Sequence, residues 1–218
     1  MGSEVRTRCT AIVVGIDKWS RTTEKFYKSF RYFEPTMPLV IVDNQPLPRT
    51  SYPHPPEPCT WLLRTGRFLG YNEALNLAMS YWDSYRGEPD WYLCFNNDCR
   101  VQGELSSAID VLDPMVFYGS KINPCEEIGR PLLWSAWMAI SRQVRAVVGD
   151  FDPMLTHGFE DFDYQLRAIE AGFELGVADL PVLHLDKHTR FAVQNYFGEW
   201  DKSRLYFSQK HGVETKPW

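Results

Sequence analysis

The chain has 218 residues, 44% hydrophobic and 15% aromatic, enough for one domain with a bulky core. Its net charge of −5 excludes the strongly basic field that generic nucleic-acid binding needs. No apolar run reaches the roughly 18 residues of a membrane span, and five cysteines without paired CxxC motifs exclude a disulfide scaffold.

The β-branched run CTAIVVGI (9–16) predicts a first buried strand. Trp19, Phe26, Phe30 and Phe33 then share one helical face, with Arg21, Lys25, Lys28 and Arg31 mostly off it. Pro35 stops that helix. PLVIVDNQ (38–45) is the second strand and ends in Asp43-Asn44. Six prolines between 46 and 58 remove the amide donors a ladder needs, so an extended surface loop follows. CTWLL (59–63) predicts a third strand. GYNEALNLAMSYW (70–82) predicts a helix with Tyr71, Ala74, Leu75, Ala78, Met79 and Trp82 on its buried stripe. The next strand (91–95) breaks abruptly into Asn96, Asn97 and Asp98.

This β-α-β-β-α-β order, with strands apolar throughout, predicts a three-layer α/β/α domain around a mostly parallel central sheet. In such sheets ligands bind beyond the carboxyl ends of the strands. Asp43-Asn44 and Asn97-Asp98 are therefore expected at one ligand-binding edge. The second half is less regular. A short helix (104–112), strands at 115–120 and 131–141, and a short helix closed by Gly149 are expected. Residues 157–173 predict a helix with Phe159, Phe162, Leu166 and Ile169 on its apolar stripe and Gly172 as its stop. FELGVA and PVLHL read as short strands. The expected divisions are one domain at 1–189, with a nucleotide-binding half at about 9–103 and an acceptor half at about 104–189, and a C-terminal helical segment at 190–218 packed on it.

The residues alone leave each candidate with two readings. Asn96-Asn97-Asp98 is either a plain turn or a carboxylate for a hard cation that holds a diphosphate. Glu160, Asp161 and Asp163 either complement a helix dipole or supply a general base. Phe159 and Phe162 fix the buried face, so Asp161 is expected to point away from it and stay ionised. His184 is either a polar strand end or an imidazole ligand that favours Mn2+ over Mg2+. His184 and His188 would suit zinc on a helix, yet PVLHL reads as a strand. Trp134 and Trp137 are expected on one side of their strand, as a stacking wall for sugar or acceptor or as core. Signatures of dinucleotide oxidoreductases (GxGxxG), P-loop NTPases (GxxxxGK[ST]) and α/β-hydrolases (GxSxG) are missing from the sequence.

Taken in order, these segments resemble a family-2 glycosyltransferase of the GT-A fold over residues 11–184. IVVGID resembles the first nucleotide-binding strand, and IVDNQ the second, whose Asp meets the nucleobase. GRFLGYNEALNLAM resembles NxGFaxAxNxG, with Gly70, Tyr71, Asn72, Ala74 and Asn76 in register. YLCFNNDCRV resembles LLLNNDxxV, which carries the DxD-type metal motif. LLWSAWMAISRQVRAVVGDFDPML resembles the acceptor-side segment ending in GxFDExF. GFEDFDYQLRAIEAGF resembles EDxDLxxRxxxaGy, whose second acid is the catalytic base. VLHLDKHT resembles vxHxxxxS, whose His completes the metal shell. The chain departs from the pattern at Thr65-Gly66-Arg67-Phe68, where the NxGF Asn is missing, and at His157 before GFED.

The resemblance implies inverting transfer of a sugar from a nucleoside diphosphate sugar to an acceptor hydroxyl. Gly15, Ile16, Asp17 and Asp43 would hold base and ribose, and Asp98 with His184 would hold Mn2+ or Mg2+ on the diphosphate. Asn44, Gly70, Asn72, Asn97, Trp134, Trp137 and Glu160 would complete the substrate site, and Asp161 would be the base. A glycan or lipid-linked glycan is the acceptor implied, with a hydroxylated DNA base or a protein as alternatives. An inactive nucleotide-sugar-binding protein and a metal-dependent nucleotide-sugar phosphohydrolase are the competing classes.

From Lys187 onward six Lys or Arg face three acids, a local charge of +3, interleaved with aromatic residues. This segment reads either as an amphipathic helical cap or as a dock for a polyanion or an anionic membrane surface. Reduced cysteines and a short N-terminal apolar run point to a cytoplasmic setting, with no obligate protein partner.

Overall fold

The computed structural model describes residues 8–16, 22–46, 58–125, 128–185 and 196–215. The apolar runs become strands β1 (Cys9–Gly15), β2 (Leu39–Pro46), β3 (Thr60–Gly66) and β4 (Trp91–Asn96). Helices α1 (Thr23–Phe33) and α2 (Tyr71–Arg86) connect them. A hairpin turn leads from β4 to the short β5 (Cys99–Val101), then to α3 (Ser106–Ile109), β6 (Val116–Asn123) and β7 (Leu132–Ser141). α4 (Arg142–Val148), α5 (Glu160–Glu170), β8 (Glu174–Val177), β9 (Val182–His184) and α6 (Tyr196–His211) complete the order.

The central sheet has seven strands in the order β3-β2-β1-β4-β7-β6-β8. β3, β2, β1 and β4 run parallel, and β7 pairs antiparallel with β4 and β6. The strand sequences are apolar at every position because both faces are covered. Ala11 and Val13 face α1, packing with Phe26, Phe30 and Phe95. Ile12 and Val14 face the opposite way, into Ala74, Leu75, Ala78 and Trp82 of α2.

Several boundaries differ from expectation for identifiable reasons. The helix expected at 104–112 shrinks to α3, whose start is held by Glu34; its buried carboxylate accepts the Ser106 N–H at 2.9 Å and that of Leu105. α5 begins only at Glu160, because Gly158 and Phe159 both adopt positive φ, 78° and 66°. The apolar stripe of α5 does not face the sheet. Phe159, Phe162, Leu166 and Ile169 pack with Leu132, Leu155 and Phe207 of α6. The face toward the sheet instead buries Tyr164, Gln165 and Ala168.

α6 is therefore a cap over α5. Phe159 stacks near Trp200 and Phe207, with ring centroids 5.2 and 5.0 Å apart. The buried Asp163 carboxylate meets Arg167 at 2.8 Å, Lys210 at 2.6 Å and His211 at 2.8 Å. Lys202 and Arg204 pair with Glu199 and Asp201 on the same helix. Lys202, Arg204 and Lys210 are thus engaged within the chain, whereas Lys187, Arg190 and Lys216 lie outside the described residues. Among the described residues no helix is long and apolar enough to cross a membrane.

Gln165 ties α5 to the sheet. Its side chain accepts the Leu133 N–H at 2.6 Å and donates to the Leu133 carbonyl at 3.0 Å, all within the core. Gln165→Leu leaves both backbone groups buried and unpaired. A loss of about 2–4 kcal/mol is expected, read by urea denaturation; a loss below about 0.5 kcal/mol would remove this clamp from the account.

Candidate functional site

Parallel pairing decides which side chains share the ligand edge. Gly15 lies opposite Asp43, and Val14 opposite Asn96. The ends of β1, β2 and β4 therefore meet at one edge, as expected of strands with this connectivity. Gly15 is buried, Ile16 packs on the α2-side core, and Asp17 lies outside the described residues.

The turn after β4 reverses into β5, which pairs antiparallel with β9 so that Cys99 faces His184. That pairing sets Asp98 Oδ1 3.1 Å from His184 Nε2, across 86 positions of sequence. The Leu185 N–H donates to the Asp98 carbonyl at 3.2 Å and fixes the same junction. Asp98 is buried, and the imidazole remains partly exposed. Asn97 turns inward instead. Its amide donates to Thr22 Oγ1 at 2.8 Å and Thr23 Oγ1 at 3.2 Å, which ties the turn to the start of α1.

One carboxylate oxygen beside one imidazole nitrogen is a donor set for Mn2+ or Mg2+ whose other positions go to phosphate and water. Among the described residues no group of three His, Cys, Asp or Glu is placed to hold a metal ion, and His188 lies outside them.

Asp43 is fully buried at the end of β2, and neither of its oxygens has a hydrogen-bond partner. Arg64 Nε lies 3.9 Å away, too far to donate. Burial pushes the Asp43 carboxyl up to about 6, against the pull of Arg64. Asn44, beside it, is closed on the chain itself. It accepts the Leu69 N–H at 2.8 Å and donates to the Leu69 carbonyl at 2.9 Å.

The start of α2 is pressed against the loop before α5. A side chain at Gly70 would bring its Cβ to 2.9 Å from Thr156 Cα, so glycine is required for this approach. Asn72 donates to the Asp152 carbonyl and leaves its own Oδ1 unpaired. Asn76 closes on Phe151 from both sides, at 2.8 and 2.9 Å. These amides position the loop that delivers Glu160 and Asp161.

Asp161 points away from the aromatic stripe and is half-buried. Burial raises its proton affinity, while the Ser135 hydroxyl and the Phe162 N–H, 2.9 Å away, pull it back. Glu160 is raised too, by burial and then by Asp161, and its Oε2 has no partner.

The two tryptophans do not form a common wall. A spacing of three puts them on opposite faces of a strand, and β7 bulges between them. Gly119 pairs with Met138 and Lys121 with Trp134, so β7 carries extra residues between its two paired positions. Trp137 is buried in the α1-side core. Trp134 is 41% exposed, 6.5 Å from Phe162 and with Lys121 over its ring.

Two residues beside the acid pair escape a reading of the sequence as a site. Tyr71 was assigned to the helical stripe, and Ser135 was simply a residue between two tryptophans. The available signal was a phenol where the stripe needs only a ring. Neither buried hydroxyl oxygen makes a well-formed hydrogen bond, and Ser135 Oγ lies near enough to Asp161 to lower its proton affinity.

No family model matches the chain, and no curated protein matches it in sequence. Solved structures do. A mannosyltransferase from Pyrobaculum calidifontis, in complex with GDP-Man and Mn2+, superposes with a TM-score of 0.60 at 14% identity, over 97% of this chain and 77% of that one. GalNAc-T7 with UDP, GalNAc and Mn2+ gives 0.61 at 13% identity, over 92% of this chain and 50% of that one. S. aureus TarS gives 0.60 at 12% identity, over 96% of this chain and 41% of that one. The chain has the GT-A fold. In this GT-A sheet, Asp43, Asp98 and the start of α2 lie at the carboxyl edge of the parallel strands.

The Asp43 carboxyl gives a pH signature. Unfolded it titrates at 3.8 and folded at about 6. Below the lower value both states hold the proton and burial costs no charge. The penalty for ionising it grows as pH rises through about 6, so this contribution to stability is lost there. Asp43→Asn is expected to stabilise the ligand-free protein near neutral pH by up to about 3 kcal/mol, and to lose that gain as pH falls below about 3. Thermal melts across that range check it; a gap independent of pH contradicts the titration.

Proposed function

We propose that the chain is a metal-dependent, inverting glycosyltransferase of the family-2 type, which moves a sugar from a nucleoside diphosphate sugar to an acceptor hydroxyl. The observation that carries this reading is the Asp98–His184 pair, 3.1 Å apart, beside the carboxyl edge of a GT-A sheet. The nucleotide and Mn2+ named with two of the structural neighbours support it.

In this reading Asp98 and His184 hold Mn2+ or Mg2+, which when bound offsets the charge developing on the diphosphate leaving group. Asp43 offers an enclosed carboxyl with both oxygens unpaired, suited to an N–H of the nucleobase or a ribose hydroxyl. Asp161 takes the proton of the acceptor hydroxyl as that oxygen bonds to the anomeric carbon and the bond to the diphosphate breaks. A carboxyl with raised proton affinity is a better base for a hydroxyl than one in water. Trp134, exposed beside Phe162, suits the acceptor side. A glycan or lipid-linked glycan in a cytoplasmic setting is the acceptor class in this reading.

A thermal-shift panel of nucleotides and nucleotide sugars, with and without Mn2+, tests the donor site. One nucleoside diphosphate is expected to stabilise the protein only with the ion, and Asp98→Asn removes that gain. Asp161→Asn keeps the gain and loses transfer by about 10²-fold or more. Near-normal transfer by Asp161→Asn would remove Asp161 as the base. Binding without turnover favours the inactive binding protein, and cleavage independent of any acceptor favours the phosphohydrolase.

A further inference from the structure

A group of enclosed polar atoms surrounds the start of α5. Tyr71 Oη comes from the first turn of α2, Ser135 Oγ from the bulge of β7, and Glu160 Oε2 from α5 itself. None makes a well-formed hydrogen bond, although Ser135 Oγ lies near enough to the Asp161 carboxyl to lower its proton affinity. Two are donors and one is an acceptor. Leaving such groups buried and unpaired costs free energy in each case. A phenylalanine and an alanine would fill the same volume at no such cost, so packing does not account for either hydroxyl.

The electrostatics place these groups around one feature. Tyr71 feels Glu160 and Asp161 from α5, Cys94 from β4 and Cys99 from β5. Asp161 feels Ser135 from β7 and Glu160 beside it. Two carboxyls on consecutive residues thus lie beside the Ser135 hydroxyl, with the Tyr71 hydroxyl near enough to feel both. The bulge explains Ser135. Met138 and Trp134 pair with Gly119 and Lys121, so the residues between them are free to turn a side chain out of the ladder. Burial also keeps the Tyr71 hydroxyl protonated far into the alkaline range, which makes it a permanent donor.

We propose that Tyr71 and Ser135 are positioning residues for the Asp161 base, their hydroxyls donating to the Glu160–Asp161 carboxyl pair when substrate closes the site. This rests on the glycosyltransferase reading above. Neither hydroxyl gains or loses a proton. The acceptor proton goes to Asp161, and the two donors hold the carboxylate oxygens in line and lower the cost of their charge. The pair would otherwise be two adjacent half-buried acids, held only by the backbone N–H groups at the helix start.

The test is the pH profile of transfer for Tyr71→Phe and Ser135→Ala, with Ser135→Thr as the conservative control. Each of the first two is expected to lower kcat about 10-fold and leave the KM for the nucleotide sugar within about twofold. Each also moves the acidic limb of kcat upward by about half a pH unit or more, because a carboxylate that loses a donor holds its proton to higher pH. Ser135→Thr restores the limb. Loss of rate with an unmoved limb assigns the hydroxyls to packing, and a raised KM with unchanged kcat assigns them to ligand contact; either overturns the proposal. Melting of the ligand-free variants confirms that they fold, since Phe preserves the Tyr71 ring. If the wild type transfers no sugar at all, the glycosyltransferase reading fails separately. Titration of the labelled Asp161 carboxyl by NMR, with a nucleoside diphosphate and Mn2+ present, then still decides. Its midpoint rises in Tyr71→Phe if the hydroxyl donates to the pair and stays put if it does not.

Discussion

The parallel register of β1 against β2 and β4 is the constraint on which the ligand edge depends. Gly15 opposite Asp43 and Val14 opposite Asn96 bring three strand ends to one level. A slip of one residue in β2 would turn Val40 and Val42 from the α2 face to the α1 face and Asp43 to the opposite side. The slip is prevented because both faces are filled, by Phe26, Phe30 and Phe95 on one side and by Ala74, Ala78 and Trp82 on the other. The hydrophobic core fixes the register, and the register fixes the position of the acids.

The acids that end the strands are only half of the edge. The other half arrives on the loop before α5, and this loop has little regular structure of its own. It is held from two sides. The amides of Asn72 and Asn76 grip the backbone at Asp152 and Phe151, and Gly70 allows Thr156 to approach. From the other side α6 lays Trp200 against Gly158 and Phe159, its Lys210 pairs with the buried Asp163, and its His211 ring nitrogen lies at hydrogen-bond distance from the same carboxylate. A side chain at Gly158 would meet the Trp200 indole at 2.6 Å, so the positive φ of 78° and the contact both require glycine there. The C-terminal helix, with its aromatic and basic composition, thereby becomes part of the machinery that orients Glu160 and Asp161.

Stability and the site oppose each other at this edge. Asp43, Tyr71, Asn72, Ser135 and Glu160 all bury polar atoms without well-formed hydrogen bonds. Elsewhere Glu34 pairs with α3, Gln165 with β7 and Asn44 with Leu69, while Thr10 Oγ1, Trp82 Nε1 and Arg145 Nε are also buried unpaired. The gathering of several such groups at the ligand edge is the pattern expected where a fold keeps hydrogen-bonding capacity in reserve for a ligand.

The sequence by itself determined the layered α/β/α architecture, the strand ends at Asp43 and Asp98, the α1 and α2 stripes and the helix that carries Glu160 and Asp161. These follow from local rules, because period and unbroken apolarity report which faces are buried, and short polar residues mark where a strand stops. The tertiary structure alone decided the rest. It joined Asp98 to His184 across 86 positions through the β5–β9 pairing. It split Trp134 from Trp137 by a bulge and set the Ser135 hydroxyl beside a half-buried Asp161. None of these is a property of a local window. Each depends on which distant segments pack together and in what register, and that is set by how the whole core is filled.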